Sequence, residues 1–351
     1  MGKEPQSSSA PGATGQSPHA AARFSEWDLN LVNAIQISPR APWSRIGPAL
    51  GVDAATAARH WHRLTAAGLA WTTAYAPEYA VIGWIQLRCR PEALAQVSER
   101  VCRCPSVYSI ESTGGGYQLD LTMAAADLAA LDDFTVRWLG SLPGVAATRV
   151  AVGLDMYVEG ADWRPGALDR DERARLTGDD DRERRLRSVR RKTDIQIVAA
   201  LGADARLSLS ELAAASGASE TTVRRRLAEL LASGRLVLRC DMARQLAGWP
   251  ILIIYRAQLP AEQLRDLGAA VAKWKEIRLC TATFGGDSNL IIVAWLHTAQ
   301  EAIEFETRLS RAFPRLRITD RQISLRTIKR MGWILDGLGR AVEHMPIRIW
   351  T

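Results

Sequence analysis

Apolar positions along the chain follow two periods, and the switch from one to the other happens twice. In the second half Val223, Leu227, Leu230 and Leu231 fall at i, i+4, i+7 and i+8, the spacing of one helical face. Two shorter helices precede it. Asp194 opens a segment carrying Ile195, Val198 and Leu201, and Ser210-Glu211-Leu212-Ala213 opens the next, which Gly217 ends before Ser219 caps the third. This is the tri-helical helix-turn-helix spacing, in which the turn lets the last helix project toward a major groove. A short extended segment at Gly234-Arg235-Leu236-Val237-Leu238 follows, and then period-two stretches: Ile251 to Tyr255, Ile277 to Cys280, Leu290 to Ala294 and Ile318 to Leu325. With a helix over 262–274 and another before the last strand, the order β-α-β-β-α-β predicts a ferredoxin-like domain.

The first half repeats this plan. Gly51-Val52-Asp53-Ala54-Ala55-Thr56-Ala57-Ala58-Arg59 lies over Gly217 to Arg225 at an offset of 166, which also pairs Asp28 with Asp194, Ile46 with Leu212, Leu64 with Leu230 and Gly68 with Gly234. Further on, Gly115 matches Gly286 and Pro143 matches Pro314 at an offset of 171. Strands are predicted at 84–87, 107–110, 119–123 and 147–152, with a helix over 92–102. The predicted fold class is α+β: two winged-type helix-turn-helix domains (24–75 and 193–242), each followed by a ferredoxin-like βαββαβ domain (76–157 and 243–330). Around them lie a Ser/Pro/Gly-rich tail (1–23) expected to be disordered, a charged linker (158–192) and a C-terminal extension (331–351).

Charge narrows the candidates. Arg224, Arg225 and Arg226 stand in a row near the start of the third helix, behind Ser219, Thr221 and Thr222. A charge run on a helix is by default a solvated face, but in this position guanidinium forks and hydroxyls meet phosphate and guanine. The corresponding helix of the first half offers Arg59, His60, His62 and Arg63. The chain carries 45 Lys and Arg against 38 Asp and Glu, a balance that suits a polyanionic partner such as double-stranded DNA. Five scattered cysteines suit reduced thiols, and Cys102-Arg-Cys104 lacks the second ligand pair a zinc site needs. No metal and no cofactor are expected. There is no phosphate loop, nucleophile elbow or metal-ligand cluster, so an enzyme is not expected either, and without an apolar run long enough to span a bilayer the expected location is cytoplasmic, at the nucleoid.

Together, Asp194-Ile195-Gln196-Ile197, Ser219 to Leu227, Gly234-Arg235-Leu236 and the Gly turn before the third strand of each ferredoxin-like domain give the chain a form that resembles the Lrp/AsnC (leucine-responsive, feast-or-famine) transcription regulators, in tandem two-copy form. The resemblance implies sequence-specific DNA binding by helices 53–66 and 219–232. It also implies RAM-type ferredoxin-like domains that drive oligomerisation and sense a small-molecule effector at the Gly turns, here Gly115, Tyr117 and Gln118, and Gly286, Ser288 and Asn289. The family's turn usually carries an aspartate where this chain has Gln118 and Asn289, so simple amino acids are expected to bind weakly. In the family two chains pair their sheets face to face. Here both halves share one chain, which predicts an intrachain pseudo-dimer reading an asymmetric pair of half-sites, with further pairing of whole chains into a homodimer or higher oligomer. The alternative is a metabolite-binding sensor or an assembly scaffold without sequence-specific DNA binding.

Overall fold

The computed structural model describes residues 24–76, 81–166, 168, 172, 175–176 and 192–347. The tail at 1–23 and most of the linker lie outside them. The chain opens with three helices, α1 (Glu26–Ile37), α2 (Trp43–Ala49) and α3 (Ala54–Ala66), and a strand β1 (Ala70–Tyr75). Ser25 caps α1: its hydroxyl accepts from the Asp28 amide while the Asp28 carboxylate accepts from the Ser25 amide. Then come β2 (Val81–Cys89), α4 (Leu94–Cys102), β3 (Val107–Thr113), β4 (Leu119–Ala125), α5 (Leu128–Asp132, continued by a wider turn to Leu139) and β5 (Val145–Val158).

The same order follows: α6 (Lys192–Ala203), α7 (Leu209–Ser216), α8 (Glu220–Ala232), β6 (Val237–Met242), β7 (Ile251–Gln258), α9 (Leu264–Val271), β8 (Ile277–Phe284), β9 (Leu290–Leu296), α10 (Glu301–Ala312) and β10 (Arg317–Arg330). Ser208 with Glu211 forms the capping box of α7, and Gly217 ends that helix at φ +63, a left-handed position that a side chain rarely adopts.

The two ferredoxin-like sheets meet edge to edge. This corrects the expected face-to-face packing, and the reason is the length of the last strand of each. β5 and β10 both run 14 residues. The first part of β5 pairs with β2 and the rest with β8, while β10 pairs with β7 through Ile323 and with β3 from Ser324 onward. Eight antiparallel strands thereby close into a ring, β10-β3-β4-β2-β5-β8-β9-β7 and back to β10. Alternation then divides the side chains. Ile85, Leu87 and Leu121 pack outward under α4 and α5, Ile253, Tyr255 and Ile292 outward under α9 and α10, and Trp84, Thr122, Ile254 and Ile291 turn inward.

A separate two-stranded ribbon, β1 antiparallel to β6, joins the helical units above the ring with Thr73 opposite Arg239. The C-terminal residues extend the ring with the hairpin β11 (Trp333–Leu335) and β12 (Ala341–His344), and the Ala341 amide donates to the Gly68 carbonyl so closely that any Cβ at Gly68 would collide with that strand. The start of the expected linker is docked rather than solvated. Trp163 is 5% exposed, donates its indole N–H to the Lys275 carbonyl and packs edge-on against Trp249 and Trp295, and Leu168 and Leu176 are buried. Its few apolar residues find a core, which outweighs the charge around them.

Candidate nucleic-acid interface

The two third helices are built alike and present different surfaces. On α8, Val223, Leu227 and Leu230 are buried against α6 and α7, leaving Ser219, Thr221, Arg224 and Arg225 exposed. Ser219 and Thr222 serve the helix itself: the Ser219 hydroxyl accepts from the Thr222 amide and donates to the Thr222 hydroxyl. Arg224 has no partner among the described residues, and Arg225 pairs with Glu229 at 2.9 Å on the surface.

Arg226 is not a DNA-facing residue, which corrects the sequence expectation. Its side chain is 4% exposed, its Nε donates to Asp194 Oδ1 at 2.8 Å, and its remaining nitrogens reach Asp194 and Glu229. Hydrogen bonds to Asp194 raise its pKa further above the ordinary arginine value. Helical geometry forces this, because three successive residues point about 100° apart and one of them must face the body. Asp194, read from sequence as a cap, is the buried partner of that arginine.

On α3, Asp53 caps the helix by accepting from the Thr56 amide, and Arg59, His62 and Arg63 are exposed. His60, which occupies the position equivalent to Arg226, stacks on Trp27 with ring centroids 4.4 Å apart and places Nδ1 3.9 Å from Asp28. Arg63 supplies the cation that Asp28 needs. His60 thus belongs mainly to the body, and Arg63 is shared between the body and solvent.

Two arginines outside the recognition helices lock these units to one another. Arg40 donates to the carbonyls of Ala205 and Leu207 at 2.6 and 2.7 Å, and Arg206 donates to those of Pro39 and Ala41 at 2.5 and 2.9 Å. Arg40 and Arg206 are 166 positions apart, as are their targets, so the contact is one interaction made twice about a pseudo-twofold axis. Arg206 also lies over the Trp43 ring at 4.0 Å, and burial pushes its pKa down to about 10. The repeat alignment places these arginines in register, but only their shared spacing hinted at a role.

The residues expected to hold an effector at the Gly turns are engaged locally. The Gln118 carboxamide oxygen accepts from the Cys89 amide at 2.9 Å, and Asn289 brackets Leu259 by accepting from its amide and donating to its carbonyl. Tyr117 lies beside Arg149 and Arg88, Gly115 and Gly286 hold φ of +120 and +77, and Ser288 is half-buried. These amides tie one strand end to the next.

Inside the ring, sequence reasoning missed a cavity of about 460 Å³. Its walls are Trp84, Ile254, Ile291 and Val293, and its polar groups include Tyr75, Tyr108, Glu111, Asp120, Arg239 and Arg278. Asp120 takes a buried hydrogen bond of 2.6 Å from Arg256, and desolvation still keeps its pKa raised. Asp241 receives both Arg239 and Arg278. Burial alone would raise Asp241, yet those cations with Arg330 hold it below the usual carboxylate range, while desolvation pushes Arg278 down to about 9. Among the described residues no cluster of His, Cys, Asp and Glu could hold a metal ion, and no helix is long and apolar enough to cross a membrane.

Family models match two segments. Residues 192–231 match the AsnC-type helix-turn-helix domain and residues 82–162 the Lrp/AsnC ligand-binding domain. No curated protein matches the sequence. Among solved structures, the siroheme decarboxylase NirDL has 16% identity and a TM-score of 0.54, with 87% of this chain and 93% of that one covered; its complex with an iron-uroporphyrin III analogue matches at 15% and 0.53 over the same shares. The leucine response regulatory protein LrpA of Mycobacterium tuberculosis has 21% identity and a TM-score of 0.35, covering 40% of this chain and 96% of that one.

Proposed function

We propose, from the match of residues 192–231 and 82–162 to Lrp/AsnC domain models, that the chain is a sequence-specific DNA-binding transcription regulator in which two copies of the family's unit are fused and α3 and α8 act as a built-in pair of recognition helices. The reciprocal Arg40 and Arg206 lock carries the reading, since it fixes one helix-turn-helix unit against the other in the way a regulator's twofold requires. Arg224, Arg225 and Thr221 on one helix and Arg59, His62 and Arg63 on the other supply the exposed donors. Because the two sets differ, the preferred operator is an asymmetric pair of half-sites about one helical turn apart, or a multiple of it. Selection from random DNA followed by footprinting tests this. Recovery of a perfect palindrome, or of no preferred sequence, rules it out.

One observation favours a second reading. The likeness to siroheme decarboxylase runs through both halves of the chain, and the cavity behind the ribbon carries guanidinium groups suited to carboxylates. That likeness is one of fold. Incubation with siroheme under reducing and oxidising conditions, with mass analysis of the tetrapyrrole, separates the two: carbon dioxide loss favours the enzyme, and an unchanged tetrapyrrole with operator binding favours the regulator.

A further inference from the structure

The ring is built from two related halves, yet its interior is not symmetric. Strand registers give the equivalences: Leu87 opposite Leu119 corresponds to Ala257 opposite Leu290, and Ile110 opposite Leu121 to Cys280 opposite Ile292. By the same registers Tyr108 on β3 is the counterpart of Arg278 on β8, and along the ribbon Thr73 and Tyr75 on β1 are the counterparts of Arg239 and Asp241 on β6. One side of the cavity therefore carries two guanidinium groups on a single carboxylate, and the other carries two phenols and a threonine.

The charged side gathers its cations on one carboxylate, with Asp155 and Glu159 elsewhere on the lining. Arg239 and Arg278 share Asp241, with contacts of 2.7 and 2.6 Å, whereas the remaining cavity arginine, Arg330, is matched by Glu111, and Asp120 by Arg256. Arg278 is 2% exposed, and its Nε and Nη1 have no hydrogen-bond acceptor among the described residues. Its guanidinium plane is held against the rings of Trp163 and Trp295 at 5.0 and 4.4 Å, which fixes its orientation without using its N–H groups. Two further buried donors on the lining also lack acceptors, the Trp84 indole N–H and the Tyr75 hydroxyl. A buried donor left unmade costs roughly 1–3 kcal/mol, more for a charged one, so this much unused capacity in one chamber points to a guest. Around these groups the walls are apolar: Ile82, Leu252, Ile254, Ile291 and Val293. Mostly apolar walls, a few convergent donors and a volume of about 460 Å³ are the properties of a small-molecule site, and eight strands are the number that leaves room for one small ligand.

We propose that the interior of the ring binds an apolar organic acid with a single carboxylate, seated with the carboxylate on Arg278 and the apolar body between Trp84 and the Ile254–Val293 wall. The site is distinct from the Gly turns, whose amides are spent on the chain's own backbone. It stands whether or not the recognition helices bind DNA.

Isothermal titration of the full chain with 1-naphthaleneacetate and with decanoate tests the site, each acid run against its neutral amide. At least one acid is expected to bind with a stoichiometry of one per chain, and its amide at least tenfold more weakly. Arg278→Met is expected to bring the acid down to the level of the amide. Asp241 keeps Arg239 as its partner in that variant, and its thermal midpoint reports whether the fold survives. Val293→Trp, which fills the cavity without touching any ion pair, is expected to abolish binding of both forms. Equal binding of acid and amide, retention of binding in folded Val293→Trp, or no binding of either acid overturns the proposal. Arg224→Ala leaves these titrations unchanged, so a failure of DNA binding and a failure of the cavity site are read separately.

Discussion

Three neighbouring arginines on α8 have three different fates, and substitutions should separate them. Arg226→Ala leaves Asp194 buried without its cation, so we expect a loss of about 3–5 kcal/mol in urea unfolding. Arg224→Ala should leave stability within about 0.5 kcal/mol of the parent, weaken operator binding, and lower the salt dependence by about one ion if it contacts phosphate, or relax one base position if it reads a base. Titration of DNA affinity against salt checks both. Glu159 gives a pH signature. Burial raises its pKa to about 7 against the opposing pull of Arg239, so the folded state prefers the neutral acid. Its share of stability is fully present below the unfolded value near 4.5 and is lost as pH rises through about 7. Glu159→Gln should therefore match the parent at pH 4 and exceed it at pH 8 by on the order of 2 kcal/mol, measured as the difference between their thermal midpoints at each pH. The sequence shows that an Arg triplet sits on a helix. It does not show which member turns inward, because that depends on how α8 packs against α6 and brings Asp194 beside Arg226.

Helices, strands and the Ser219 cap were legible because each rests on nearby residues. The spacing of Val223, Leu227 and Leu230 and the Gly217 stop placed α7 and α8 close to their observed bounds. How the elements meet was less legible. The crossing of β5 and β10 from one sheet to the other is a matter of length and bulges, and no residue type announces it. The Arg40 and Arg206 lock is likewise a contact between units, made to backbone carbonyls that have no sequence signature. It leads to a prediction at this scale. Arg40→Ala and Arg206→Ala should each leave binding to an isolated half-site nearly unchanged while reducing the advantage of a two-half-site operator, and the double substitution should cost less than the sum of the single ones, since either loss already loosens the joint. Anisotropy measurements on one-site and two-site duplexes, arranged as a double-mutant cycle, provide the check.

At the scale of the whole molecule, the ring and the ribbon make each half the partner of the other through three strand pairings, β1 with β6, β5 with β8 and β3 with β10. Cutting the chain between residues 176 and 192 should accordingly leave the two pieces together, with an unchanged elution volume in gel filtration and a thermal midpoint that depends on concentration. The internal repeat announces such a partnership, while the mismatched residues on which it depends emerge only from the strand registers. Arg256 stands opposite Ile291 on its own sheet and crosses to Asp120, which stands opposite Gln86. In a true dimer of identical chains this bond would occur twice. Here its mirror positions hold Gln86 and Ile291, a pair that cannot form it. Two copies of the second half would set each Arg256 against Ile291, with Asp320 at 4.0 Å in place of the 2.6 Å bond to Asp120, and two copies of the first would set each Asp120 against Gln86 without Arg256. The protein has thus become a lock and its key rather than two clasped hands: neither half can be replaced by a duplicate of the other, and a body whose ends are no longer interchangeable can face only one way along whatever it grips.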